Sequence, residues 1–184
     1  MNTTKRLLAI WLPIALAATC AIGGAYVMVQ QQYRQDANDP QIQFAEDASS
    51  WLGAGLTPSV LLSSLPTIDM SSSLSSFGIL FDDAGHVIAS TGSVASSTPV
   101  PPAGTFAYAR AHSEDRFTWQ TAGGLRFAAV LRHYSGNKAS GFFLAARSLR
   151  EVEKRESQLG LLAGGAWLAA IILSLIAVLA FGAL

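Results

Sequence analysis

Two uncharged apolar runs, one towards each end, leave this chain few ways to fold in water. Leu7 to Val29 is 23 residues without a charge, and Leu159 to Leu184 is another 26. As a helix the first run is roughly 34 Å long, enough to cross a ~30 Å hydrocarbon core. A helix satisfies its own backbone polar groups, so both runs are expected to span a bilayer. Pro13 falls in the first turns of the first run, where a kink is tolerated. The rival assignment is a secretory signal peptide, with Lys5 and Arg6 as its basic start and Ala15-Leu16-Ala17 as its cleavage site. Signal peptides carry an apolar stretch of about 7–15 residues. This one continues a dozen residues past Ala17, so an uncleaved anchor is expected.

Lys5 and Arg6 are the only charges before the first span, and they place a tail of residues 1–6 in the cytoplasm. Arg147, Arg150, Lys154 and Arg155 precede the second span and argue for the opposite orientation. Glu151, Glu153 and Glu156 lie among them, however, and long loops translocate largely regardless of charge. The order is therefore span 7–29, an external segment 30–158, and span 159–184. The middle is 129 residues with ten basic and twelve acidic groups, long enough for one real core. With no basic excess in the chain, nucleic acid is not an expected partner. Low hydrophobicity and high net charge are both absent, so disorder is not the main state. The single Cys20 can form no intramolecular disulfide and no cysteine-based zinc site.

Inside the middle segment the apolar period changes. Residues 30–35 continue the first span as polar helix. Asn38 breaks it, Asp39 is placed as N-cap, and Pro40 as the first residue of a new helix. Ile42, Ala45, Ala48 and Trp51-Leu52 recur at helical spacing until Gly53 and Gly55. Thr57-Pro58 starts a short second helix stopped by Pro66. From Phe77 the pattern is strand: Phe77 to Asp82, a turn with Gly85 free to take positive φ, and a return strand His86 to Ser90. A loop rich in Ser, Pro and Gly follows, then a short helix from Thr105 to His112. Three more strands cover Arg116–Thr121, Leu125–Tyr134 and Gly141–Arg147, joined by Gly123-Gly124 and by Ser135-Gly136-Asn137-Lys138. Ser148 and Glu151 form a capping box that opens a charged helix running into the second span.

The hairpin Phe81-Asp82-Asp83-Ala84-Gly85-His86-Val87-Ile88-Ala89-Ser90 and the last strand, Gly141 through Arg147 into its exit helix, resemble the extracytoplasmic PAS-like (Cache-type) sensor modules of bacterial two-span receptors. The resemblance covers residues 30–184. It implies an α+β fold: a five-stranded antiparallel PAS-like sheet with N-terminal helices, flanked by two transmembrane helices. It also implies a bacterial cytoplasmic membrane, a small ligand held against one sheet face, and signalling. Such receptors continue inside the cell with a kinase, cyclase or chemotaxis module. The sequence up to Leu184 holds none, so the output half is expected to be missing.

The candidate chemistry is thin. His86, His112 and His133 lie at no metal-ligand spacing from other His, Cys or carboxylates, so no metal and no cofactor is expected. Asp82-Asp83 reads as turn grammar, because adjacent strand-end residues point apart. The serine runs contain no nucleophile elbow, and an enzyme is not expected. The N-x-T at Asn2 lies in the cytoplasmic tail. Strand alternation puts Arg126, Arg132 and Tyr134 on one face of their strand. Beside Trp119 they are the candidate site for a small anionic ligand; the bland alternative is solvent-side charges on a half-exposed sheet. Tyr108 and Arg110 are weaker candidates of the same kind. In the spans, Ala17, Ala21 and Ala25, and Gly160 and Gly164, form small-residue ridges suited to close helix packing, within one chain or in a homodimer. The expected function is a membrane-anchored sensor-like module that binds a ligand or partner and signals laterally through its spans. The alternative is an accessory or assembly subunit of a membrane protein complex with no small-molecule ligand.

Overall fold

The computed structural model describes residues 3–36, 39–63, 65–121, 123–136 and 139–181. Asn2, Asn38, Asn137, Lys138 and the 182–184 end of the second span lie outside them. The chain forms two compact units, Gln35–Glu151 and Met1–Arg34 with Val152–Leu184.

The first unit is α+β. Its N-terminal helices are α2 (Asp39–Gly53) and α3 (Pro58–Ser63). The sheet has five strands: β2 (Phe77–Phe81), β3 (Val87–Ser90), β5 (Glu114–Gln120), β6 (Arg126–Ser135) and β7 (Ser140–Ser148). They lie in the order β3-β2-β7-β6-β5, every neighbour antiparallel. The hairpin β2–β3 occupies one side. Helix α4 (Ala103–His112) crosses to the far edge, and the meander β5–β6–β7 returns to lay β7 against β2. The central strands are covered on both faces, which is why Phe77 to Phe81 and Gly141 to Ala146 read as near-continuous apolar runs. One short feature had no sequence signal: β1 (Ile68–Asp69) pairs in parallel with β4 (Gly92–Ser93). Two-residue strands made of Gly, Ser, Asp and Ile carry no period to read.

Two apolar cores follow from strand alternation. On one face Ile79, Phe81, Phe127, Leu131, Phe142 and Leu144 pack under Phe106 and Ala109 of α4 and under Met70. On the other, Leu80, Val130, Phe143 and Ala145 pack against Ala45, Ala48 and Leu52 of α2 and Leu61 of α3. Helix α2 ends at the predicted glycines. Gly55 takes φ +97°, its amide reaches the Leu52 carbonyl at 3.0 Å, and the Leu56 amide reaches Trp51 at 2.9 Å. This is the double C-terminal cap for which a left-handed glycine is best suited.

The second unit holds helix α1 (Thr3–Asp36) and most of α5 (Arg150–Phe181). Both are long and apolar enough to cross a membrane, with mean hydropathy 2.0 and 2.4 over their candidate windows. Within this unit they pack antiparallel. The Trp11 indole donates to Ser174 Oγ at 3.1 Å, and the Trp167 indole to Thr19 Oγ1 at 2.9 Å. A Cβ on Gly160 would sit 3.7 Å from the Tyr26 hydroxyl. The packed face of α1 thus runs through Trp11, Ala15, Thr19, Ile22 and Tyr26. The expected Ala17, Ala21, Ala25 ridge is exposed instead. Indole N–H groups in an apolar surrounding need acceptors, and the hydroxyls of Thr19 and Ser174 supply them, which rotates the hydroxyl-bearing face inward. Gly160 and Gly164 do line the groove between the two helices.

The exit helix begins at Arg150, behind Ser148. Ser148 Oγ accepts from the Arg150 amide at 3.3 Å. The Leu149 amide donates to the Arg126 carbonyl at 2.9 Å, and the Arg150 guanidinium donates to the carbonyls of Ser71 and Ser72 at 3.1 and 2.8 Å.

Candidate functional site

The residues singled out on β5 and β6 do not form one site. Trp119 pairs in register with Phe127, which places it on the Phe127 face, 4% exposed and packed in the α4-side core. Tyr134 is 3% exposed in the opposite, α2-side core. Burial pushes its phenol pKa up, and the nearby Asp83 charge pushes the same way. Arg132 is committed to protein carboxylates, donating to Glu46 at 3.0 Å and Glu114 at 3.1 Å. Arg126 is exposed at the start of β6, at the other end of that strand from Tyr134. The alternation within each strand is as expected. The register between strands decides which faces coincide, and it separates Trp119 from the basic face.

The polar side chains that the fold does gather sit at the β2–β3 turn. Asp82 and Asp83 point apart, as neighbours at a strand end do. Asp82 closes its own turn, with Oδ1 accepting from the amides of Ala84 and His86 at 2.9 and 2.8 Å. Its Oδ2 meets His86 Nδ1 at 3.1 Å. The backbone bond from His86 leads the effects that hold the Asp82 pKa low. Gly85, at φ +84°, completes the turn and faces the Phe106 ring.

Asp83 faces outward to three other elements. Its Oδ2 accepts from the Ser140 hydroxyl at the start of β7. Its Oδ1 lies 3.3 Å from His133 Nε2 on β6 and 3.8 Å from the Arg110 guanidinium on α4. The Arg110 Nη2 also donates to the Asp83 carbonyl at 2.5 Å. The Ser140 hydroxyl bond, then the His133 bond and charge, hold the Asp83 pKa below the usual carboxylate range. The partners are 27, 50 and 57 residues away in sequence. No local spacing rule reaches across such gaps, so the sequence reading missed this cluster and saw only turn grammar.

The order of these groups decides what they can do. In a nucleophilic triad the imidazole stands between hydroxyl and carboxylate. Here the carboxylate stands between Ser140 and His133, so the imidazole is not bonded to the hydroxyl. A carboxylate with a lowered pKa is a weak base, and the arrangement suits electrostatic binding better than proton transfer. Beside the cluster lies an open cleft of about 300 Å³, walled by Asp83 and Arg110 and floored by Val100, Pro101, Phe106 and Ala107. Phe106 is held edge-on to Phe81 and Phe142, ring centroids 5.0 and 5.2 Å away. Arg110 lies 5.0 Å above the Phe142 ring. Among the described residues Arg110 Nε and Nη1 meet no protein acceptor, and no group of three or more His, Cys, Asp or Glu is placed to hold a metal ion.

No family model matches the chain, and no curated protein matches it.

Proposed function

We propose that this chain is a membrane-anchored, extracytoplasmic, PAS-like sensor module that binds a small organic anion in the Asp83–Arg110 cleft and signals laterally through its two apolar helices. The observation that carries the reading is Arg110. It commits one nitrogen to the turn and presents its remaining donors at an apolar-floored cleft, which suits a carboxylate or sulfonate with a short apolar tail. The element order supports the resemblance to PAS-like modules: helices, a hairpin, a helical crossing, a meander and an exit helix. Strand β7 supplies the route for a signal. Its first residue, Ser140, bonds Asp83 at the cleft, and its last, Ser148, leads to α5 at Arg150. Lys5 and Arg6 support a cytoplasmic N-terminal tail, and the resemblance supports a bacterial cytoplasmic membrane.

The test is thermal unfolding of the full chain in non-ionic detergent against small organic acids, with benzoate as the first probe. A ligand at a hundred times its dissociation constant stabilises by about 2.7 kcal/mol. Melting is expected to rise on the order of 5 °C, and Arg110→Gln is expected to abolish the rise. A folded chain that shifts for no acid supports the second reading, an accessory or assembly subunit of a membrane complex. One observation favours that reading: both sheet faces are filled by side chains, with Trp119 and Tyr134 each buried in packed core.

A further inference from the structure

Asp83 answers two bases from different elements, Arg110 on α4 and His133 on β6, through the same oxygen, Oδ1. With the imidazole neutral, the charges of Asp83 and Arg110 cancel at the mouth of the cleft. With the imidazole protonated, the three groups carry one net positive charge. Imidazoles make this change between about pH 5 and 8.

The surroundings of His133 leave Asp83 as the carboxylate it faces. Its amide donates to the Ser113 carbonyl beside β5 at 3.0 Å, and its ring lies 4.9 Å from Phe142 of β7. From β7 the Ser140 hydroxyl holds the far oxygen of Asp83. Arg110 approaches from α4, over the same Phe142 ring. Asp82 is turned away to His86, which is exposed and outside the cleft. The next residue of β6, Tyr134, keeps its proton, held by burial and by the Asp83 charge.

Resting on the anion-binding reading of the cleft, we infer that His133 sets its affinity by pH: proton uptake on the imidazole offsets the Asp83 charge that faces Arg110 and strengthens the pull of Arg110 on the anion. Neither histidine nor carboxylate need touch the ligand; both act through Arg110 as positioning residues.

The probe is benzenesulfonate, an aryl anion that stays ionised throughout. Titration calorimetry on the full chain in non-ionic detergent at pH 5.5 and pH 8 is expected to show binding tighter at the lower pH, on the order of tenfold, as one added unit charge nearby implies. His133→Gln is expected to remove the pH dependence, and His86→Gln to keep it. Equal affinity of the wild-type chain at both pH values, or dependence retained in His133→Gln, overturns the inference. A ligand-free measurement separates the two claims. The Arg110 Nε–H resonance is expected to shift with pH in the wild-type chain and not in His133→Gln. If benzenesulfonate fails to bind at any pH while Arg110 follows His133, the anion reading falls and the coupling stands. If Arg110 ignores pH, the coupling falls whatever binds; should His133→Gln not fold, this wild-type titration decides.

Discussion

Single atoms decide the tightest points of this fold. Gly141 opens the buried part of β7, and a Cβ there would strike the Phe81 carbonyl and come within 3.0 Å of the Tyr134 hydroxyl. A backbone carbonyl in the paired strand cannot step aside. Gly141→Ala is expected to lower stability by about 1–3 kcal/mol, read as a drop in the urea midpoint. Asp83 carries a pH prediction of definite sign. Its folded pKa is depressed by Ser140 and His133, so the unfolded chain binds the proton more readily. The stabilisation is present above the ordinary carboxylate pKa and is lost as pH falls through the lower, folded value. Asp83 is half exposed, which keeps the effect small. Asp83→Asn is expected to be less stable than wild type at pH 7 and to converge with it as pH falls through the lowered, folded pKa of Asp83, in paired melts. Gly85 was legible as a turn glycine because D-x-x-G needs positive φ. Asp83 was not legible as a hub, because its partners come from α4, β6 and β7.

Among the elements, those with a clean period matched expectation within a residue or two. Helix α4 begins at Ala103 rather than Thr105, β5 at Glu114 rather than Arg116, and α5 at Arg150 after its Ser148 cap. The Ser/Pro/Gly segment after β3 hid more order than its composition suggests. Val94 and Ser97 exchange two backbone bonds of 2.8 and 2.9 Å across Ala95 and Ser96. Those two residues hold φ +47° and +64°, a tight turn built from residues that disfavour it. Replacing them with the natural formers, Ala95→Asn with Ser96→Gly, is expected to raise stability by roughly 0.5–2 kcal/mol, measured by urea unfolding. The helix-packing ridge shows the opposite lesson. Ala17, Ala21 and Ala25 have the right spacing for close packing, but spacing fixes a stripe and not its partner. Two indole–hydroxyl bonds chose the neighbouring stripe of α1 for contact with α5.

At the scale of the whole molecule, both apolar cores and the hydrophobic residues packed against them fall, among the described residues, between Ile42 and Ala146. A fragment spanning residues 35–151 is therefore expected to fold alone, with a cooperative thermal transition in circular dichroism and no detergent. Non-cooperative melting would show that the cores need the terminal helices. The division into two long apolar helices and one α+β unit was readable from charge placement, since hydrocarbon excludes charge over about 20 residues at a time. The strand identities were readable too, because alternation is local and glycines punctuate it. The order β3-β2-β7-β6-β5 and the register Trp119↔Phe127 were not, because strand pairing is a contact between distant segments. That register separates Trp119 from Arg126, Arg132 and Tyr134, and the same long-range pairing brings Ser140 and His133 to Asp83. Local periodicity accounts for the pieces and their faces; the energetic choice among distant partners accounts for the cleft.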